Sequence, residues 1–354
     1  MTARSQGIIR KTGRTRSERM NTNSKTVQLD DIARKLGISK TTVSRAISGK
    51  GRVSAETRSR VIECIRMMNY SPNMASFSLA EKKTNNIGVI IPVDDGESEA
   101  PFFQDCLMGI TKCCALRNYD TMVIGVEKGD HSQLIRVLNS HKTDGIIITR
   151  PLQGGTMEQL LSETKIPYVS VGQSSDLDAI TIDSAHNEGC YELTSYLLMN
   201  NSVEKLGLIL GSMDQTVNRS RYEGFVRAVE GAGQTVPVQT VFLGVNSELR
   251  LRRVIEDLFQ RGCSCVICGD DMICMYTINL LAAIGKVIPR DIKVASFYNS
   301  IYLDMYSPPI TALNFRASDL GSTAASLLLD ILEGKETSRE TVLGFEMLIR
   351  KSTM

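Results

Sequence analysis

At 354 residues, with 42% apolar and 23% charged side chains, the chain is globular, with enough core for two or three domains. Nine cysteines, an odd count in a long chain, argue against a disulfide framework and for a reducing compartment, and no stretch approaches the roughly 18 apolar residues of a membrane span. The net charge of +2 hides a division: Lys and Arg outnumber Asp and Glu 18 to 6 through Lys83 and are outnumbered 33 to 23 beyond it, as expected when one part meets phosphates and another must not.

Residues 1–25 carry Arg4, Arg10, Lys11, Arg14, Arg16, Arg19 and Lys25 against Glu18 alone, which predicts a disordered basic tail. Met20 is an alternative start to Met1. Gly7-Ile8-Ile9 is too short for the apolar core of a secretory signal, so a cytoplasmic protein is expected.

From Val27 to Ile47 the pattern becomes helical. Leu29, Ile32, Ala33 and Leu36 give a first short helix one apolar face, Gly37 ends it, and Ile38 fills the corner. Ser39 is placed to cap a second helix, whose Thr42, Val43, Ala46 and Ile47 pack back on the first. Lys40, Thr41, Ser44 and Arg45 face the other way. A helix-turn-helix enters the major groove by the N-terminus of its second helix, so Lys40, Thr41 and Arg45 stand where donors to base edges are wanted. Ser48 to Arg52 form a basic loop with Lys50 and Arg52 suited to phosphates. Ser54 caps a third helix from Ala55 to about Met68, whose Val61, Ile65 and Met68 close a small core.

Asn69-Tyr70-Ser71-Pro72-Asn73 and Met74 to Ala80 follow, and from Ile87 the pattern turns to short apolar strands between amphipathic helices. Strands are expected at 87–92, 121–126, 145–149, 168–171, 206–210, 241–243, 265–268 and 294–297, and helices at 102–117, 132–140, 157–163, 187–199, 219–230, 248–260 and 272–284. Two doubly wound lobes imply a cleft lined by the loops after Pro92, Gly211, Gly269 and Phe297.

The order of helix-turn-helix, third helix, Asn-Tyr-x-Pro-Asn, a short helix ending Ser78-Leu79, and then Thr84 to Pro92 resembles the LacI/GalR family of bacterial repressors from Val27 to the C-terminus. Ala100-Pro101-Phe102-Phe103, Arg221-Tyr222-Glu223-Gly224-Phe225 and Pro308-Pro309-Ile310-Thr311 match further landmarks of that family. The resemblance implies an all-α helix-turn-helix domain (26–71), a hinge helix and linker (72–83), and an α/β two-lobed effector and dimerisation domain like the periplasmic binding proteins (84–354). Lobe 1 would comprise about 84–183 and 312–340, and lobe 2 about 184–311 and 341–354, with crossings near Asp183, Thr311 and Thr341. Leu79 would be the apolar wedge that bends the operator, although Ser76-Phe77 stand where the family commonly has Ala-Arg.

The DNA-contacting set so expected is Thr26, Leu29, Ser39, Lys40, Thr41, Thr42, Ser44, Arg45, Lys50, Arg52, Asn73 and Leu79. The ligand set is Phe102, Phe103, Arg219, Arg221, Gly269, Asp270 and Tyr298. By the resemblance Arg221 holds the effector, while Gly269 and Tyr298 replace a family Asn and Asp, which favours a ligand that is anionic or less hydroxylated than a hexose. Expected partners are a double-stranded DNA operator, a small effector (a sugar, a sugar derivative or another small polar metabolite) and a second copy of the chain, with no membrane and no cofactor.

Cys263, Cys265, Cys268 and Cys274 alternate along an apolar strand and helix, which reads as buried thiols rather than metal ligands. His131, His141 and His186 lie far apart, with no nucleophile or metal spacing, and read as surface or cleft residues; no phosphate loop follows a strand, and no catalytic set is present. The expected function is a DNA-binding transcriptional regulator, most simply a repressor, in carbohydrate or related metabolism. A corepressor-dependent global carbon regulator and a solute-binding protein without a DNA role are the alternatives.

Overall fold

The computed structural model describes residues 27–48, 51–68, 83–94, 101–151, 156–174, 176–199 and 203–354. The expected tail and hinge helix lie outside these residues, and so do Thr26, Lys50, Asn73 and Leu79. Contacts divide the chain into two units, the first ending at Glu81 and the second beginning at Lys82.

In the first unit Leu29–Leu36 (α1), Lys40–Ser48 (α2) and Ala55–Met67 (α3) enclose Ile32, Ala33, Val43, Ala46, Val61 and Cys64. Gly37 ends α1 in the left-handed conformation, at φ 66°, where a side chain would be strained. Ser39 Oγ accepts from the Thr42 N–H at 3.1 Å, and Ser54 Oγ from the Thr57 N–H at 3.1 Å, so both serines cap as expected. The α3 stripe is shifted. Cys64 joins Val61 at the centre, and Ile65 and Met68 pack at the rim.

Two six-stranded sheets form the second unit among its described residues. The first sheet contains Asn86–Pro92 (β1), Asp120–Val126 (β2), Gly145–Ile148 (β3), Tyr168–Val171 (β4) and Ile180–Ser184 (β5). Pro101–Leu116 (α4) packs on one face, and Ser132–Asn139 (α5) and Thr156–Thr164 (α6) on the other. In the second sheet are Leu206–Ile209 (β6), Val241–Phe242 (β7), Cys265–Cys268 (β8) and Lys293–Ser296 (β9). One of its faces is covered by His186–Met199 (α7) and Thr216–Gly231 (α8), the other by Glu248–Gln260 (α9) and Asp271–Ala283 (α10). The remaining elements are Ile301–Met305 (α11), Thr311–Asn314 (β10), Ala317–Leu332 (α12), Glu340–Leu343 (β11) and Glu346–Leu348 (β12). Strand orders are β11-β5-β4-β3-β1-β2 and β12-β10-β9-β8-β6-β7, parallel except for the β10–β12 pair. In each sheet the winding reverses beside the first strand, between β1 and β3 and between β6 and β8, where the strand ends open a crevice.

The crossings between lobes correct the sequence reading by a few residues. β10 pairs with β9 and β12, so the second crossing follows Asn314 rather than Thr311. β11 pairs with β5, so the third falls at Gly344, not Thr341. α12 was not among the expected elements; it lies beside α4 and buries Leu320, Ala324, Ala325, Leu328 and Leu329 in the first lobe. All four cysteines between 263 and 274 are buried, and burial pushes the Cys265 thiol up to about 12. Among the described residues no helix is long and apolar enough to cross a membrane.

Candidate functional site

The first candidate site is the outward face of α2. Val43 and Ala46 hold the helix on the core, which leaves Lys40, Thr41 and Arg45 exposed and Ser44 half-buried on the other side. Lys40 Nζ lies 3.0 Å from Asp30 Oδ2. Both groups are largely exposed, so the pair is weak and exchanges readily for a phosphate or base oxygen. Gly51, at φ 86°, lies beside Arg45: a Cβ there would sit 3.1 Å from Arg45 Cδ, so glycine leaves room for the arginine stem. Arg52 is exposed. Thr42 is engaged locally, its hydroxyl 2.8 Å from that of Ser39. Leu29 is half-buried and packs against the three-helix core.

The second candidate site lies at the carboxyl ends of β6, β8 and β9, facing the first lobe. Arg221, on α8, is 6% exposed; its Nη1 reaches Asn218 Oδ1 at 3.4 Å, while Nε has no hydrogen-bond partner among the described residues. Asn218 is itself fixed by donating to the Ser212 carbonyl at 2.9 Å. Around the guanidinium gather Asp271, Asp183, His186 and Tyr298, all within its electrostatic reach. Burial pushes the Asp271 carboxyl up to about 6, with neighbouring Asp270 adding to the rise and Ser300 and Arg221 opposing it. Burial also carries Asp183 up to about 6 against the pull of the Ser184 N–H and of Arg221. His186 is held well below its ordinary range by burial first and Arg221 second, and so stays neutral. Asp271 Oδ2 and His186 Nδ1 share the orphaned state of Arg221 Nε. Buried polar atoms of both signs, left unpaired around one arginine, are what a small polar ligand satisfies.

Aromatic rings connect this cluster to the rest of the second unit. Phe102, at the start of α4 in the first lobe, meets Tyr298 edge to face at 6.1 Å. Tyr298 stacks on Phe315 at 6.4 Å, and Phe315 contacts His186 at 4.4 Å and Phe345 at 6.0 Å. One residue from each crossing thus enters the same cluster. Lys128 of the first lobe and Asp214 of the second also meet, at 3.2 Å, but both are largely exposed and hold the lobes only weakly.

Several expected ligand residues are redistributed by this geometry. Phe103 turns into the core of the first lobe, so Phe102 is the ring that meets Tyr298. Asp270 caps α10, its Oδ1 accepting from the Ile273 N–H at 2.7 Å, and the buried carboxylate is Asp271, one residue later. Gly269 lies close to its neighbours, and a Cβ there would sit 2.7 Å from Leu210 Cδ2 and 3.1 Å from the Ile209 carbonyl oxygen, so a side chain would need Leu210 to move. Arg219 is half-exposed, and residues two apart on a helix point about 200° apart, so it does not share the face of Arg221. Asp183, Asn218, Asp271 and Phe315 escaped the sequence reading as ligand residues, and His186 reads there only as a surface or cleft residue. Only the doublet Asp270-Asp271 at a strand end offered a signal for any of them.

Comparison with known proteins agrees with this architecture. Residues 28–73 match the profile of the bacterial regulatory proteins of the lacI family, and residues 84–351 that of the periplasmic binding proteins and sugar binding domain of the LacI family. The transcriptional regulator MalR of Staphylococcus xylosus is 30% identical over 334 residues, covering 91% of this chain and 95% of MalR. The transcriptional repressor PurR of Pasteurella multocida is 28% identical over 334 residues, covering 92% and 98%. Among solved structures, the lac repressor dimer bound to operator and the anti-inducer ONPF superposes with a TM-score of 0.79 at 20% identity, covering 93% of this chain and 100% of the other. The complex of the regulator CelR with cellobiose gives 0.69 at 22% identity, covering 92% and 99%. At those identities the two structures speak for the fold alone.

Proposed function

The chain belongs to the LacI family of bacterial transcriptional regulators, and from that membership we propose that it is a repressor that binds a pseudo-palindromic operator as a homodimer and answers to a small ligand held between its lobes. The reading of DNA rests on α2, whose exposed Lys40, Thr41 and Arg45 stand clear of a packed core. Exposed apolar side chains on both lobes, Met108, Leu116 and Val123 on one and Tyr276, Ile301, Tyr302 and Met305 on the other, support self-association. The match of residues 84–351 to the periplasmic binding proteins and sugar binding domain of the LacI family supports a role in carbohydrate or related metabolism.

The observation that carries the ligand reading is Arg221, a buried guanidinium whose Nε is unpaired, within electrostatic reach of Asp271 and its unpaired oxygen. An arginine fork suits a carboxylate, a phosphate or ring acceptors, and Asp271 suits a hydroxyl or N–H on the same molecule. Phe102 and Tyr298 offer a wall for a ring. The ligand is therefore a small ring compound carrying an anionic or strongly accepting group and at least one donor.

Two experiments test these halves. In a selection from random duplexes, Arg45→Ala or Thr41→Ala should change the preferred base at fixed half-site positions, each costing about 1–3 kcal/mol. Arg52→Ala should weaken all sequences alike and flatten the salt dependence. Unchanged preference in the Arg45 and Thr41 variants would refute this register of the recognition helix. For the ligand, a thermal-shift panel of neutral sugars, sugar phosphates, sugar acids and nucleobases should find stabilisation by a compound with an acceptor group, about 2.7 kcal/mol at 100 times its Kd. Arg221→Ala should abolish that shift, and a neutral hexose that still stabilises the variant would sink the assignment.

A further inference from the structure

Asp144, just before β3, binds the beginning of the second unit with its whole carboxylate. Oδ1 accepts from the Thr84 N–H at 2.6 Å and the Thr84 hydroxyl at 2.7 Å, and Oδ2 accepts from the Asn85 N–H at 2.8 Å. Two of these donors are main-chain groups, so the carboxylate fixes the course of the backbone and not merely a side chain. Asn85 lies at φ 54°, a left-handed conformation that asparagine adopts more readily than other residues with a side chain. Its carbonyl accepts from the Asp120 N–H, and that of Asn86 from the Asp144 N–H, both at 2.8 Å.

The neighbourhood makes this anchor stiff. Lys83 Nζ lies 5.0 Å from the centre of the Tyr119 ring. Arg117, just beyond the end of α4, pairs with Asp330 and Glu333 at the end of α12, and Lys335 pairs with the same two acids. α4 and α12 are pressed together at Gly109 and Gly321, each of which lies against the backbone of the other helix. At their opposite ends are Phe102, which meets Tyr298, and Phe315, at the second crossing. Lys83 thus lies over Tyr119 next to the ion-paired ends of α4 and α12, a closely packed helix pair whose other ends reach the cleft.

We propose that Asp144 is a positioning residue for operator binding, because it fixes the place and direction in which the chain joins the effector unit to the linker. When two binding units of a dimer must meet two half-sites at once, freedom at the linker's root lowers the effective concentration of the second unit. Charge on Asp144 acts through Thr84 and Asn85 and touches no base. The inference rests on the DNA-binding reading of residues 27–68.

The test uses the full-length protein and a duplex enriched by the wild type from a random pool. In Asp144→Asn an amide NH2 must face either the Thr84 or the Asn85 donors, so at least one bond becomes a donor–donor contact. Affinity for the enriched duplex should fall about tenfold, while affinity for a scrambled duplex and the melting temperature stay close to wild type. Thr84→Val, which deletes only the hydroxyl bond, should lose about threefold and serves if the asparagine variant does not fold. Enriched-duplex affinity within about twofold of wild type in the variants that fold, or an equal loss on both duplexes, would overturn the proposal. If the wild type enriches no sequence, the DNA-binding reading fails instead, and the role of Asp144 with it.

Discussion

Asp271→Asn is expected to stabilise the ligand-free protein by about 2–3 kcal/mol at neutral pH, and to lose that advantage by about pH 4. The Asp271 carboxyl rises from 3.8 in the unfolded chain to about 6 in the fold, chiefly through burial. Above about pH 6 it is ionised in both states, and the fold bears the full cost of keeping a charge out of water. As pH falls from about 6 to about 4 the folded state takes up a proton that the unfolded state does not, so this group's contribution to stability rises through that window. Below about 4 both states are protonated and the difference is constant. Asparagine has no charge to bury, so the variant differs from wild type only where Asp271 is ionised in the fold. Burial holds His186 neutral in the fold, below its ordinary range, so its contribution to the pH dependence has the opposite sign. Comparing variant and wild type at each pH removes its effect. Urea titrations at about pH 4 and about pH 7.5 make the measurement, and a variant less stable than wild type at neutral pH would mean that Arg221 more than compensates the buried charge. The same substitution should weaken the ligand found in the thermal-shift panel, because a carboxylate kept at a cost to stability is retained for what it binds.

Gly109→Ala and Gly321→Ala are each expected to destabilise the first lobe by about 3 kcal/mol or more. A Cβ on Gly109 would lie 2.0 Å from the Ser318 carbonyl oxygen, and one on Gly321 would lie 2.1 Å from that of Cys106. Backbone cannot swing aside as a side chain can, so α4 and α12 would have to part along a contact that fills the core. Alanine favours a helix over glycine by only about 1 kcal/mol, and the clash outweighs it. Because both glycines serve one crossing, the double variant should cost less than the sum of the two. Gly262→Ala is the control: glycine there has φ 72° and open space around it, so only backbone strain is added, about 1 kcal/mol. Equal losses at Gly109 and Gly262 in urea unfolding would show that the helices yield freely.

The sequence by itself determined what local physics can determine. Leu29, Ile32, Ala33 and Leu36 at helical spacing, Gly37 at the turn, and Ser39 and Ser54 at the caps each act within a few residues, and the first unit follows from them. Runs such as Ile87 to Pro92 and Cys265 to Cys268 announce strands buried on both faces because every side chain in them is apolar. Arg221 was legible only through the family resemblance of the stretch from Arg221 to Phe225. Gly224 is needed where α8 crosses α7, as a Cβ there would lie 2.3 Å from the Asn187 carbonyl oxygen.

Only the tertiary structure decided which of two adjacent residues does the work. Asp270 and Asp271 are equivalent as sequence, but Asp270 is the extended N-cap, whose carboxylate turns back to the first turn of α10, and Asp271 is the first helical residue, whose carboxylate is buried within electrostatic reach of Arg221. A step of one residue, about 100° around α4, separates Phe102, at the cleft, from Phe103, in the core. β10 and β11 are too short to declare their lobe, and their strand partners assign it. Asp144 and Thr84 lie 60 positions apart, and the pairing of β1 with β3 brings them together. Local spacing fixes an element and its apolar face, whereas the partner of each polar group is a property of chain segments that meet only when the sheets assemble.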